Sequence, residues 1–212
     1  MIDLKHAVQE RGFTVAHIKT DSIKIPTATP EIIQFVMDFG KQYGYTFEHE
    51  ATYSKFCLVN DAVYIANDGT DWHAVGAQFQ HPYVFKTLFN DADIEFSDLC
   101  EPRSVKEGAM YLDFDNIPKA DINEETIGRW KFVGRTGLFT PVKSGCGGGT
   151  LYRVKGDKTY AVTGTKGYLW AESLNVKHDG LDSIDMDYFE TMAEEAIATI
   201  EKFGSFKEFV YG

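Results

Sequence analysis

Apolar positions along the chain alternate between two periods. Leu4, Ala7 and Val8 share one face of a 3.6-residue repeat over residues 3–11, and Gly12 follows. That spacing predicts an opening helix ended by the glycine. Phe13–Ile18 and Ser22–Ile25 read as two strands joined at a bend over Lys19–Asp21. The next helix carries start signals: Thr29 suits the N-cap, Pro30 the first turn, and Glu31 complements the N-terminal dipole. Ile32, Ile33, Phe35, Val36 and Phe39 are its expected inner face, and Gly44 is its expected stop. Tyr45–Ala51 alternates as a strand, with Glu48 and Glu50 on the face opposite Tyr45 and Phe47. Phe56–Val59 and Ala62–Ala66 form a strand pair around the turn residues Asn60 and Asp61. The order helix, hairpin, helix, hairpin predicts an α+β fold, with helices covering one face of an antiparallel sheet.

The pattern weakens after that. Pro82–Phe89 fits a short helix, residues 90–127 are acidic and irregular, and 118–127 fit a linker or an extended crossing. Arg129–Trp170 is rich in Gly, Thr and aromatic residues, with strand-like runs at Leu151–Val154 and Thr159–Thr163. Residues 185–203 have helical periodicity, with Met192, Ala196, Ile197 and Ile200 on one side. No internal repeat is visible.

Composition narrows the class. A chain of 212 residues suits one large domain or two small ones, and 43% hydrophobic content excludes a disordered polymer. No apolar run reaches the roughly 18–20 residues that span a bilayer. The charged start MIDLKHAVQERGF lacks the apolar centre of an export signal. Cys57, Cys100 and Cys146 are odd in number and lack metal spacing, which predicts reduced thiols in the cytoplasm and argues against zinc. The net charge of −11 is uneven. Residues 128–170 hold 8 Lys/Arg against 1 Asp/Glu, a net of +7 inside an acidic chain. Such asymmetry speaks to partners.

Three features carry candidate chemistry. Asp21, between Thr20 and Ser22 at a bend, serves either turn geometry or a metal ion. Glu48 and Glu50 are either solvated or part of a metal site. The basic window, Arg129, Lys131, Arg135, Lys143, Arg153, Lys155, Lys158 and Lys166, interleaves with Trp130, Phe132, Phe139, Tyr152, Tyr160, Tyr168 and Trp170. Spread cations of this kind suit a solvated surface or phosphate-backbone contact, and most of the aromatics are expected in the core. Gly145–Gly149 lacks the Gly-Lys-Ser/Thr ending of a phosphate loop, so a turn or a close backbone approach to DNA is expected. Cys146 has no His/Asp context of a nucleophile. His73 and His81 lack metal spacing and are expected to be surface or structural.

Thr20-Asp21-Ser22-Ile23, the helix after it, and YTFEHEATYSKFCLVNDAVYIA (Tyr45–Ala66) together resemble the palm of family B DNA polymerases of the phage type. KFVGRTGLFTPVKSGCGGG and TGTKGYLW resemble the C-terminal parts of such enzymes, so the likeness covers most of the chain. The resemblance implies that Asp21 is the second aspartate of an Asp-Thr-Asp-Ser turn, a ligand of two catalytic Mg²⁺ ions, with Thr20 and Ser22 its neighbours. It implies that Glu48 and Glu50 lie on the acidic strand beside that site, and that Tyr64 approaches the primer strand. Residues 1–100 would then be the C-terminal part of the palm, and 101–212 a thumb-like region gripping primer-template DNA. The chain departs from the pattern at Lys19, where the first turn aspartate stands, and at Asp61 and Ala62, where lysines stand. The Asp-x-x-Ser-Leu-Tyr-Pro motif, the nucleotide-binding Lys-x-x-x-Asn-Ser-x-Tyr-Gly helix and the exonuclease carboxylates are absent. The resemblance therefore implies a fragment of a split polymerase, inactive alone and completed by an N-terminal partner in the host cytoplasm. The rival expectations are a DNA- or replisome-binding module without chemistry, and an unrelated α+β domain sharing the turn.

Overall fold

The computed structural model describes residues 1–162, 167–171 and 181–212. The fold is α+β, with antiparallel sheets and seven α-helices among the described residues. In chain order the first elements are α1 (Ile2–Glu10), β1 (His17–Ile18), β2 (Ile23–Lys24), α2 (Pro30–Lys41), β3 (Lys55–Asn60), β4 (Val63–Asn67), β5 (Trp72–Val75) and α3 (Ala77–Gln80). Then come α4 (Pro82–Phe89), β6 (Glu101–Ser104), β7 (Ala109–Asp113), α5 (Glu124–Arg129), β8 (Lys131–Gly134) and β9 (Thr136–Pro141). The last are β10 (Thr150–Lys155), β11 (Lys158–Ala161), β12 (Tyr168–Trp170), α6 (Met186–Glu201) and α7 (Phe206–Tyr211). The chain divides into two compact units, Met1–His81 with Ala196–Gly212, and Pro82–Glu195. The C-terminal segment belongs to the first unit.

In the first unit, α1 and α2 are amphipathic. Leu4 and Val8 from one helix, and Ile32 and Val36 from the other, form a buried cluster. Phe13, Val15, Ile23, Ile25 and Phe47 pack around it, so the β1–β2 hairpin is anchored by its apolar positions. Gly12 ends α1 with φ +84°, a left-handed conformation that glycine adopts without a Cβ penalty. Thr29 caps α2, its Oγ1 accepting the Ile32 amide at 3.4 Å. Thr29→Ala is expected to cost about 1 kcal/mol. An unchanged thermal midpoint for that variant would show that the cap contributes nothing.

Tyr45–Ala51 is not a strand. Alternation alone cannot hold one, because a strand needs a ladder partner. The Tyr45 amide instead bonds the Gly40 carbonyl at 3.0 Å, folding the chain back on α2. Phe47 lies against Gly40, where an added Cβ would come within 2.4 Å of the ring. One apolar residue therefore reaches the core, while Glu48 and Glu50 stay exposed. The strand pair beyond it forms as expected, within a residue or so at each end. Phe56 pairs with Ala66 and Cys57 with Ile65, and Asn60 Oδ1 accepts the Ala62 amide at 2.9 Å in the turn. β5, which the pattern did not predict, adds a third strand beside β4.

The second unit is built on two antiparallel sheets, ordered β11-β10-β7-β8 and β12-β9-β6. β8 and β9 run nearly end to end. Gly134, at φ +102°, lets the chain turn from one sheet into the other. A second junction joins Gly149 to Tyr168, with Gly149 N–H donating to the Tyr168 carbonyl at 2.8 Å. Met110, Leu112, Phe139, Leu151 and Tyr168 are buried between the sheets. The glycine stretch serves this junction. A Cβ on Gly149 would lie 2.5 Å from the Asp113 carbonyl oxygen, and one on Gly148 would lie 2.5 Å from that of Gly167. The close backbone approach expected there is to the chain's own strands. Within the expected irregular span 90–127, β6, β7 and the capped helix α5 are formed.

Candidate functional site

β1 and β2 pair in register, His17 with Lys24 and Ile18 with Ile23. The Lys19 amide donates to the Ser22 carbonyl at 2.9 Å, leaving Thr20 and Asp21 at the tip. Thr20 and Asp21 are exposed, and Ser22 is half-buried. The turn is closed by backbone alone: among the described residues, the Asp21 carboxylate makes no hydrogen bond or ion pair. Asp21 is therefore not spent on capping its own bend, the commonest use of an aspartate at such a position.

Side chains from three other segments gather near the hairpin. His17 Nε2 donates to the Asp61 carbonyl oxygen at 3.1 Å, tying β1 to the β3–β4 turn. The Lys24 ammonium lies 5.5 Å from the Tyr64 ring centroid and 5.6 Å from that of Tyr53, within cation–π range. Burial pushes both phenols above their ordinary value; the negative charge of Glu50 adds to it in each case. Tyr64 also packs against Phe56, with centroids 5.1 Å apart and planes tilted by 32°. The hairpin, Glu50 and Tyr64 are thus brought into one neighbourhood. Glu48 is exposed. Among the described residues, no three His, Cys, Asp or Glu side chains group closely enough to hold a metal between them. Asp21 and Glu50 are hard oxygen donors of the kind Mg²⁺ takes, and that ion commonly draws its remaining ligands from water and substrate phosphates.

A second acidic feature lies at the β4–β5 turn. Asp68 accepts from the amides of Thr70 at 2.9 Å and Asp71 at 2.8 Å, and from His73 at 2.7 Å. These bonds, that of the Asp71 amide first, hold its carboxyl below the usual aspartate range. His73 is structural, as expected.

The basic window resolves into engaged and free cations. Arg135 donates to the Lys106 carbonyl at 3.1 Å, Lys143 to the Asp182 carbonyl at 3.0 Å, and Lys155 pairs with Glu107. The Arg153 guanidinium sits 4.6 Å from the Tyr160 centroid. Arg129, Lys131 and Lys158 are exposed and make no ion pair among the described residues. Lys166 lies outside the described residues. Trp130, Phe139, Tyr152 and Tyr168 are buried, as expected for core aromatics, whereas Phe132 is 57% exposed.

One cluster has no signature in the residue pattern. Glu101, 5% exposed, accepts from the Tyr168 hydroxyl at 2.5 Å, from the Tyr188 hydroxyl at 2.6 Å, and from Arg103. Burial, then the bond to Glu101, pushes both phenols up, so they remain protonated donors. Four residues spread over 88 positions make this network, and no local spacing encodes it. No known family model, no curated protein and no solved structure matches the chain.

Proposed function

We propose that the chain is the C-terminal palm and DNA-gripping part of a phage-type family B DNA polymerase, working with a partner that supplies the missing palm, fingers and exonuclease. The reaction is attack of a primer 3′-hydroxyl on the α-phosphate of an incoming nucleotide, with pyrophosphate leaving. Two Mg²⁺ ions, when bound, would supply charge neutralisation at the attacking and leaving oxygens. The chain's part is to hold the Asp21 carboxylate out on a hydrogen-bonded hairpin whose Lys24 lies against the Tyr64 ring. The observation that carries this reading is that Asp21 is exposed and unspent at the tip of a turn closed by backbone alone. A rival reading, a DNA-binding module without chemistry, draws on the cationic Lys19 beside Asp21 and the free cations Arg129, Lys131 and Lys158.

Complementation separates the two. The chain is mixed with a partner chain carrying the missing aspartate and nucleotide-binding motifs, on a labelled primer-template with Mg²⁺. Extension is expected from the mixture and from neither chain alone. A mixture that binds primer-template without extending it would favour the binding module, and extension by the partner alone would remove any need for this chain.

A further inference from the structure

We propose that Lys24 is a positioning residue: its ammonium, held over the rings of Tyr53 and Tyr64, clasps the Asp21 hairpin to the β3–β4 strand pair and sets where the Asp21 carboxylate stands. The register of the hairpin gives the clasp its direction. His17 pairs with Lys24 and Ile18 with Ile23, so the two cross-strand pairs project to opposite faces. On one face Ile23 packs against the α1–α2 cluster. The other face meets β4 and the turn before it. His17 Nε2 donates to the Asp61 carbonyl, and its ring lies edge-on to Tyr64 with centroids 6.3 Å apart. Lys24 Nζ stands 5.5 Å from the centroid of that same Tyr64 ring. Two directly opposed residues thus converge on one tyrosine.

The hairpin needs that second face. β1 and β2 are two residues each, and a two-stranded ribbon is marginal by itself. The Ala16 amide donates to the Lys24 carbonyl at 3.0 Å, and the Lys19 amide closes the tip, so few bonds hold the ribbon together. The rings that receive the ammonium are themselves fixed. Tyr53 lies 5.9 Å from Phe56 and edge-on to His73 at 5.8 Å, between centroids, and His73 is tied to Asp68. Phe56 in turn packs on Tyr64. Lys24 is half-buried and, among the described residues, makes no ion pair, so the two rings are what its charge meets. Burial holds both phenols above their ordinary value, which keeps the rings neutral and the attraction one of cation to π-face. Such a contact is worth a factor of about 2 to 30 in the closed population of the hairpin. The metal chemistry that Asp21 would serve rests on the polymerase reading; the clasp itself rests on the register and the ring distances.

The test uses the full chain and has two arms. In the first, amide hydrogen exchange is followed residue by residue. Lys24→Met keeps the length of the side chain and removes the charge. It is expected to speed exchange of the Ala16 and Lys19 amides about tenfold, while the amides of β3 and β4 keep the parent rates. Lys24→Arg keeps the cation and is expected to keep the protection. In the second arm, the chain is mixed with the partner chain and primer extension is titrated with Mg²⁺. Only the closed hairpin presents Asp21, so Lys24→Met is expected to raise the Mg²⁺ concentration for half-maximal extension severalfold, with primer-template affinity unchanged. Lys24→Arg is expected to restore the parent requirement, which a role in packing alone would not do. Parent exchange rates in Lys24→Met overturn the clasp, and so does an equal loss of protection in Lys24→Arg. Faster exchange with an unchanged Mg²⁺ requirement overturns the positioning of Asp21. Faster exchange in Lys24→Met with no extension by the parent mixture keeps the clasp and sinks the polymerase reading.

Discussion

On the polymerase reading proposed above, Asp21→Asn is expected to lower primer extension by the complemented mixture about a thousandfold, while primer-template affinity and thermal stability stay near those of the parent. The size follows from what a carboxylate does between divalent cations and phosphates: its loss removes several kcal/mol of charge stabilisation, and each 1.4 kcal/mol is tenfold in rate. The substitution discriminates well because asparagine has nearly the same shape and is as good a turn residue as aspartate. The turn itself does not involve the side chain, since the Lys19 amide and the Ser22 carbonyl close it. Asp21 is exposed and unpaired, so its change should alter folding stability by no more than about 0.5 kcal/mol. Single-turnover extension with saturating Mg²⁺ measures the chemistry, and anisotropy on the same primer-template measures binding. Extension by Asp21→Asn at the parent rate would leave Asp21 as an ordinary surface residue.

The parts of the fold that could be read from the sequence are those where a local signal agrees with tertiary need. α2 carries an N-cap, a first-turn proline and a continuous apolar face, and it forms over Pro30–Lys41. β3 and β4 flank a two-residue turn and pair as expected. Tyr45–Ala51 has a strand's alternation and no partner, so the pattern was true of the residues and false of the ladder. β6 fails the other way. Its sequence is Glu-Pro-Arg-Ser, with no apolar residue, yet it pairs with β9 along its whole length. What it turns inward is Glu101, satisfied by tyrosines far along the chain, and a hydropathy pattern cannot recognise a buried carboxylate. The bend around Asp21 was legible because small polar residues interrupt an apolar run. The basic window was legible as charge only. Which of its cations are free depends on backbone carbonyls and carboxylates brought in by folding, such as Lys106, Asp182 and Glu107.

Glu101→Ala is expected to be the most destabilising single change in the second unit, costing about 3–5 kcal/mol. The carboxylate is 5% exposed and is the common acceptor for Arg103, Tyr168 and Tyr188, which come from β6, β12 and α6. Truncation leaves a half-buried guanidinium without its counter-charge and two hydroxyls without their acceptor; each uncompensated buried group costs more than its bond contributes when made. Tyr188→Phe removes one donor and leaves the ion pair, so it is expected to cost about 1–2 kcal/mol. Tyr168 is also a member of the apolar core, packed between the sheets, which couples the network to the packing around Phe139. Urea unfolding followed by near-UV circular dichroism reads this unit through the stacked Trp130–Tyr152 pair. The two variants should fall in the order Glu101→Ala well below Tyr188→Phe. Equal midpoints for both would mean that Arg103 finds water or another partner once Glu101 is gone, and that β6 is held by its ladder to β9 rather than by the carboxylate.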